Sequence, residues 1–462
     1  MIVLAGLGLA AAVAAWLGVL AIQKLMERPD FGAALVLAMT VMQAALVDQV
    51  PALMLPGGTK VMVHDVAFSL LFAAALARLL RVTRFSAPQR WLVLFVLLLL
   101  LSLGLGAARF GLQTGVAEFR LFFTYVSGLV YFATFPPSAE LFDRIGRLWL
   151  AASMAIMVLV CVRWLDVFGG ISLGVPLEKF GADAEIRVIN GPYTFLLAHA
   201  LVLTAAFWPL GGERAKRLRW LAGLLLLFVV LLNRRTVWLA LVAGAAVIAL
   251  QAHRSGIRLG RRTVIGAVSA TVVTVSVYLA IAGFGAPDEA LARPAVHSGT
   301  LEWRVKGWEA LLQTWWPDPV HWVIGEPMGT GFDRKIAGTE EHSEAHNFYF
   351  NTLLRTGTVG LITLLALTVG VLLKLWRVPV RGGLLAPELF PAMLTMQIVW
   401  FMTWTPGPEQ GILSGLAVAL VGKAVRHAST RGGGDEEDPG RLRHLPRPVE
   451  QVHAGQAGPV HR

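Results

Sequence analysis

The chain is 462 residues long, 56% hydrophobic and only 15% charged, with a mean hydropathy of +0.64. A water-soluble fold of that size carries more surface charge, so the composition excludes a soluble enzyme and points to a polytopic membrane protein. The net charge of +11, from 40 basic against 29 acidic residues, would suggest nucleic acid in a soluble protein; in a membrane protein the placement of basic residues marks the cytoplasmic side instead. The single cysteine, Cys161, provides neither an intramolecular disulfide nor a cysteine-built metal cage.

A run of roughly 17–25 apolar residues crosses a bilayer as a helix. Taken in chain order, spans are expected at about 2–22, 31–47, 61–77, 91–108, 121–135, 148–162, 193–210, 220–232, 236–252, 263–286, 356–373, 389–408 and 411–422. The first has no basic residue before it and no small-residue cleavage pattern after it, so it is expected to stay as an uncleaved span. The expected fold class is an all-α, polytopic bundle of about 12–13 transmembrane helices with one large outer loop.

The odd-numbered connections are short and basic: Arg78, Arg81, Arg84 and Arg90 fill one, Arg214, Lys216, Arg217 and Arg219 another, and Arg254, Arg258, Arg261 and Arg262 a third. Even-numbered connections spread fewer cations over more chain, which puts the odd side in the cytoplasm. The chain then divides into transmembrane helices over 1–283, a periplasmic loop over 284–350, C-terminal transmembrane helices over 351–426 and a cytoplasmic tail over 427–462. Within the loop, acidic residues outnumber basic ones. The tail, with its Gly run, the acidic cluster from Asp435 to Asp438 and scattered Pro, has too little apolar surface to fold and is expected to be disordered.

Ionisable groups are expensive in lipid, so those gathered at the outer rim carry the functional interest. The doublet Arg234-Arg235, preceded by Asn233 and followed by Thr236, breaks two apolar runs on the outer side, against the positive-inside trend. Two readings fit it: arginines snorkelling to lipid headgroups, or a phosphate clamp built from guanidinium forks. In the outer loop Leu301, Val305, Trp308, Leu312 and Trp315 recur at three- and four-residue spacing, the pattern of an amphipathic helix. The tryptophans in and just after it suit an interfacial belt or stacking on sugar faces, and Arg304 lies within it either as a further cation for the site or as a solvated residue. Arg120 and Arg187 also fall on the outer side, as secondary candidates for contact with an anionic ligand.

His342 and His346 stand four residues apart in His-Ser-Glu-Ala-His-Asn. On a helix they would share a face, but Glu344 is misplaced for a metalloprotease and no third ligand is evident, so a metal site is not expected. A histidine at the membrane rim fits a general base, since neutral imidazole accepts a proton near neutral pH. The glycine-rich segment Gly325 to Gly331 lacks the Lys-Ser/Thr ending of a phosphate loop and reads as a turn.

From His346-Asn347 through Phe348, Leu353 and Leu354 to Gly357 and Gly360, the sequence resembles the His-Asn and Gly-x-x-Gly signature of the O-antigen ligase and polysaccharide polymerase family of bacterial inner membranes. Arg235-Thr236-Val237 resembles that family's Ser-Arg-Thr/Gly segment opening a span, and Arg304 to Trp308 with Gly325 to Phe332 resembles its Arg, Trp and Gly-x-Gly-x-Phe outer loop. The likeness runs from about residue 187 to 374. It departs at Arg234, where the family often has serine, and at Arg355, where many members have an acidic residue.

The resemblance implies a glycosyltransferase that moves a glycan from an undecaprenyl diphosphate donor to an acceptor hydroxyl on the periplasmic side, on a lipid A core or a growing O-antigen or exopolysaccharide chain, with no metal, cofactor or nucleic acid. It implies His346, Arg235 and Arg304 as catalytic residues and Asn347 and Trp308 as substrate contacts, while Arg234, Arg187 and Arg120 are expected as substrate contacts from their place on the outer side. Transfer of the lipid-linked glycan to protein would share that chemistry. A transporter or flippase, the alternative from another class, would place ionisable groups at mid-membrane, whereas the apolar runs here are almost free of charge.

Overall fold

The structure is a computed structural model that describes residues 2–54, 60–82, 85–180, 185–205, 213–254, 299–336, 338–376 and 386–431. Long apolar runs satisfy their backbone N–H and C=O groups without water only as helices or closed barrels, and helix dominates here. In chain order the helices are α1 (Ile2–Glu27), α2 (Pro29–Leu46), α3 (Val63–Leu79), α4 (Ala87–Phe110), α5 (Leu112–Ala133), α6 (Ala139–Gly169), α7 (Gly191–Ala205), α8 (Glu213–Leu231), α9 (Arg235–Arg254), α10 (Gly299–Trp315), α11 (Pro319–Ile324), α12 (Phe348–Leu375), α13 (Phe390–Phe401) and α14 (Pro408–Arg431). Helices α2, α4, α5, α6, α9 and α12 are long and apolar enough to cross a membrane, and α7 is a shorter apolar helix. The chain is thus an all-α polytopic membrane protein.

Every expected span but one coincides with a helix; the exception, 263–286, lies outside the described residues. So does 432–462, most of the expected tail. One span is shorter than expected: α13 stops at Phe401, because Pro406 and Pro408 cannot donate to a continuing helix, and residues 402–407 turn at the end of the bundle instead. That turn matters for the site described below.

Residues Met1–Lys423 form one compact unit, and Ala424–Arg462 a second, of which 424–431 are described as the last turns of α14. Within the first unit α9 packs along α13, α12 against α4, α3 and α4 against α5, α7 against α8, and α2 against α6. A continuous apolar core fills the space between them, with Phe95, Phe122, Tyr131, Trp149, Phe195, Phe348, Phe390 and Trp400 fully buried.

The two ends of this unit differ. At one, the Arg78 guanidinium joins α3 to the last turn of α1 and to the end of α5 through Met26 O (2.6 Å), Thr134 O (3.1 Å) and Thr134 Oγ1 (3.1 Å), and Lys423 donates to Pro137 O. Lys24, Arg28, Arg144 and Arg147 cluster there too. The other end carries three short antiparallel hairpins: β1 (Ala52–Met54) with β2 (Lys60–Met62), β3 (Glu178–Phe180) with β4 (Glu185–Arg187), and β5 (Arg334–Ile336) with β6 (Thr339–Glu341). They precede α3, α7 and α12 in turn, so each sets where a helix begins. Every described site candidate lies at this second end.

Candidate active site

The site is built on an aromatic pile. Phe195 of α7 stacks on Trp400 of α13 with ring centroids 4.6 Å apart and 7° between planes, and Trp400 stacks on Trp404 at 5.3 Å and 4°. The pile runs from the buried core outward, so the half-buried Trp404 is a rigid platform at the bundle end. Gly191 opens α7 beside it; a Cβ there would lie 2.9 Å from a Trp404 ring carbon and 3.0 Å from Trp400, which is why the first helical position has no side chain.

Arg304 of α10 reaches this platform. Its guanidinium carbon lies 5.6 Å from the Trp404 ring centroid, and Nη1 donates to Thr403 O at 3.1 Å, a combination of cation–π attraction and hydrogen bonding that fixes the fork. The Thr403 hydroxyl in turn donates to Thr236 Oγ1 at 3.0 Å. Thr236 follows Arg235, the exposed first residue of α9, so one hydrogen bond ties the start of α9 to the residue that Arg304 holds.

His346 approaches the same ring from the start of α12, its imidazole centroid 5.8 Å from Trp404 and 6.5 Å from Trp303. Its backbone is left-handed, at φ 50°, a conformation costly for a residue with a Cβ, and the next residue, Asn347, begins the helix as its cap. The imidazole Nδ1 has no hydrogen-bond partner among the described residues and lies 3.6 Å from Glu344 Oε1. Glu344 is itself fixed: Asn351 Nδ2 donates to Oε2 at 2.9 Å, and the Thr405 hydroxyl donates to Oε1. A second carboxylate is close by. Burial works against the charge of Glu341, but bonds from Ser343 and the nearby Arg334 and His346 hold its carboxyl below the usual range.

The glycine-rich segment does more than turn. Arg355 of α12 is fully buried; its Nε bonds Glu118 of α5, its Nη1 donates to Glu326 Oε2 at 3.1 Å, and its Nη2 bonds Gly331 O. The same guanidinium lies 4.5 Å over the Phe332 ring. One cation thus pins residues 326–332 between α5 and α12. At Gly357 the helix breaks its regular conformation with φ 65°, and a Cβ there would lie 2.2 Å from Val323 O, so glycine alone lets the α11 backbone dock into the kink.

Of the remaining sequence candidates, Arg234 donates to Ile189 O at 2.6 Å, joining the α8–α9 turn to the segment before α7. Trp308 turns its indole N–H to Ala345 O at 2.7 Å and its ring towards Phe350, which clamps the backbone next to His346. Asn347 accepts from Phe350 N at 3.0 Å as a helix cap. Arg120 pairs with Asp65 at 2.8 Å and donates to Lys60 O, away from the Trp404 platform in its bonding. Arg187 ends β4, three residues before Asn190, and only its backbone is described. The shared helix face considered for His342 and His346 does not form, because 342–346 is a non-helical connection after β6; His342 pairs with Asp333 at 2.8 Å, and that carboxylate raises its pKa.

The structure therefore brings His346 and Arg304 onto one tryptophan, with Glu344 behind the imidazole, and ties Thr236, the residue after Arg235, to the neighbouring Thr403. Cations beside an imidazole–carboxylate pair suit proton abstraction from a hydroxyl next to a departing anion. Glu344, Thr403 and Trp404 were missed from the sequence. The Thr-Trp-Thr-Pro-Gly-Pro ending of the α13 run was the available signal, since two prolines inside an apolar stretch announce a turn at the rim.

Residues 220–365 match the family model described as O-antigen ligase. The match spans α8 to most of α12 and includes Arg234, Arg235, Arg304, Trp308, His346 and Asn347, and it supports membership of that family. The chain has no match among curated proteins or among solved structures.

Proposed function

We infer, from the match of residues 220–365 to the O-antigen ligase family model, a glycosyltransferase that moves a glycan from an undecaprenyl diphosphate donor to an acceptor hydroxyl at the periplasmic face of the bacterial inner membrane. The acceptor is a sugar of a lipid A core or the end of a growing O-antigen or exopolysaccharide chain. One observation carries the reading: Arg304 and His346 lie over the same Trp404 ring, and the Thr403–Thr236 hydrogen bond holds the helix that begins with Arg235 beside them. The clustering of Lys24, Arg28, Arg78, Arg144 and Arg147 at the other end supports the orientation.

In this mechanism the acceptor oxygen attacks the anomeric carbon and its proton passes to His346. The bond from that carbon to the diphosphate oxygen breaks, the new glycosidic bond forms, and the polyprenyl diphosphate leaves with one more negative charge. Arg235 and Arg304 stabilise that charge as it develops, with forks that match phosphate oxygens. Glu344 stabilises the imidazolium formed on His346. The lipid tail stays in the bilayer between helices, and direct displacement inverts the anomeric configuration.

The test is transfer by the purified full-length chain in proteoliposomes supplied with an undecaprenyl diphosphate-linked glycan and a lipid A core acceptor. His346→Ala is expected to abolish transfer with expression and membrane insertion unchanged. Arg235→Lys keeps the charge, loses the fork and is expected to slow transfer strongly. Full activity of His346→Ala would overturn the mechanism, and a neutral Arg235→Lys would return that arginine to headgroup binding.

A further inference from the structure

A cavity of about 320 Å³ lies at the same end of the bundle, lined by Gln43, Ala44, Val47, Val50, Lys60, Met62, His64 and Tyr193. It belongs to none of the contacts described for the Trp404 platform, yet it shares a wall with it. Tyr193 lines the cavity, while Gly191, two positions earlier on the same helical turn, packs against Trp404. Residues two apart on a helix face nearly opposite directions, so the first turn of α7 has the platform on one side and the cavity on the other.

The chemistry of its lining is that of a binding site. Lys60 brings an ammonium, Gln43 an amide and Tyr193 a phenol; the His64 side chain is only 8% exposed, its Nδ1 has no hydrogen-bond partner among the described residues, and its Nε2 lies 3.7 Å from Asp65, whose carboxylate is paired with Arg120 at 2.8 Å. A buried polar nitrogen left unbonded is costly, so a polar ligand atom that reaches it from the cavity is stabilised there. The wall is also strained. Val47 stands at φ 50°, outside the conformations open to a β-branched residue, and the other non-glycine residues at positive φ among those described are Asn233, which precedes the Arg234-Arg235 doublet, and His346. Among the described residues, the non-glycine positions at positive φ thus lie at this cavity, before the Arg234-Arg235 doublet and at His346.

Resting on the transfer reading above, we propose that the cavity binds an acidic sugar of the acceptor, one ring whose carboxylate or phosphate meets Lys60 and His64 and whose hydroxyls meet Gln43 and Tyr193. The donor's own charge is its diphosphate, which Arg235 and Arg304 take on the far side of α7. A second anion site therefore serves the glycan to be joined, and its volume, at the small end of ligand pockets, fits a single ring rather than a chain.

The experiment uses the full-length chain in phosphatidylcholine nanodiscs, with glucuronate and glucose 1-phosphate as probes and glucose as the neutral control. Glucuronate or glucose 1-phosphate is expected to raise the unfolding temperature of the parent chain while glucose does not. Lys60→Glu, a change at an exposed side chain, and His64→Gln are each expected to weaken that binding about tenfold or more. In the transfer assay both variants raise KM for an acidic acceptor by a similar factor and leave kcat and the donor KM in place. Absence of probe binding by the parent, undiminished binding by both variants, or a change in donor KM instead of acceptor KM would overturn the proposal. So would loss of probe binding in phosphatidylglycerol nanodiscs, which would assign the cavity to a lipid headgroup. His346→Ala separates the two readings: it keeps probe binding here, and if it kept transfer the mechanism would fail while this site stood.

Discussion

Glu344→Gln removes one negative charge beside His346 and little else. The carboxamide oxygen still accepts from Asn351 Nδ2, and the amide NH2 donates to the Thr405 hydroxyl, which reverses that bond, so the side chain keeps its place. Unit charges about 4 Å apart interact by about 1 kcal/mol in water and about 4 kcal/mol at the effective dielectric near a protein surface. The Nδ1–Oε1 separation is 3.6 Å, and the two side chains are 28% and 19% exposed, which places the pair between those limits after solvent screening. The carboxylate is therefore worth about 1.5–3 kcal/mol to the imidazolium formed on proton transfer, and its loss slows transfer about 10- to 100-fold. Initial rates in proteoliposomes, normalised to folded protein by thermal unfolding in detergent, measure this. A Glu344→Gln chain that transfers at the parental rate would refute the role assigned to the pair.

Arg355→Met leaves Glu118 and Glu326 without their buried cation and is expected to cost about 3–5 kcal/mol, read as a fall in unfolding temperature. Combining it with Glu118→Gln and Glu326→Gln recovers most of that loss, because the uncompensated charges go too. Gly357→Ala forces a Cβ to within 2.2 Å of Val323 O at a left-handed position and is expected to destabilise by at least about 1–3 kcal/mol in the same assay. His342→Ala removes only an exposed pair with Asp333 and is expected to leave transfer within about twofold, as surface ion pairs are weak; a large loss would revive a joint role for the two histidines.

The helices were legible because lipid leaves an apolar run few ways to satisfy its backbone, and composition alone marks such runs. The hairpins were not, since strands of three residues, such as Lys60–Met62 and Arg334–Ile336, are too short to show an alternating pattern. Arg235, Arg304 and His346 stood out as ionisable groups at the rims of spans, where charge is conspicuous. Trp404 did not, because in sequence it is one more aromatic in an apolar run; only the early end of α13 turns it outward. Arg355 read as a departure from a family pattern, and its meaning emerges only when Glu118, 237 positions earlier, folds onto it. In sequence Glu344 is only a carboxylate in the wrong place for a metalloprotease, whereas the left-handed backbone at His346 lets a carboxylate two residues away meet the ring.

The central claim is that Arg235 and Arg304 act on one bound diphosphate. A double-mutant cycle of Arg235→Lys and Arg304→Lys, read as transfer rate by the reconstituted full-length chain, tests it most directly. Two forks on one ligand are coupled, so the double variant is expected to depart from the sum of the single effects by at least about 0.5 kcal/mol, within the range seen for residues that share a partner. Additivity to within about 0.3 kcal/mol would show that the two arginines serve separate ends, and would contradict the account.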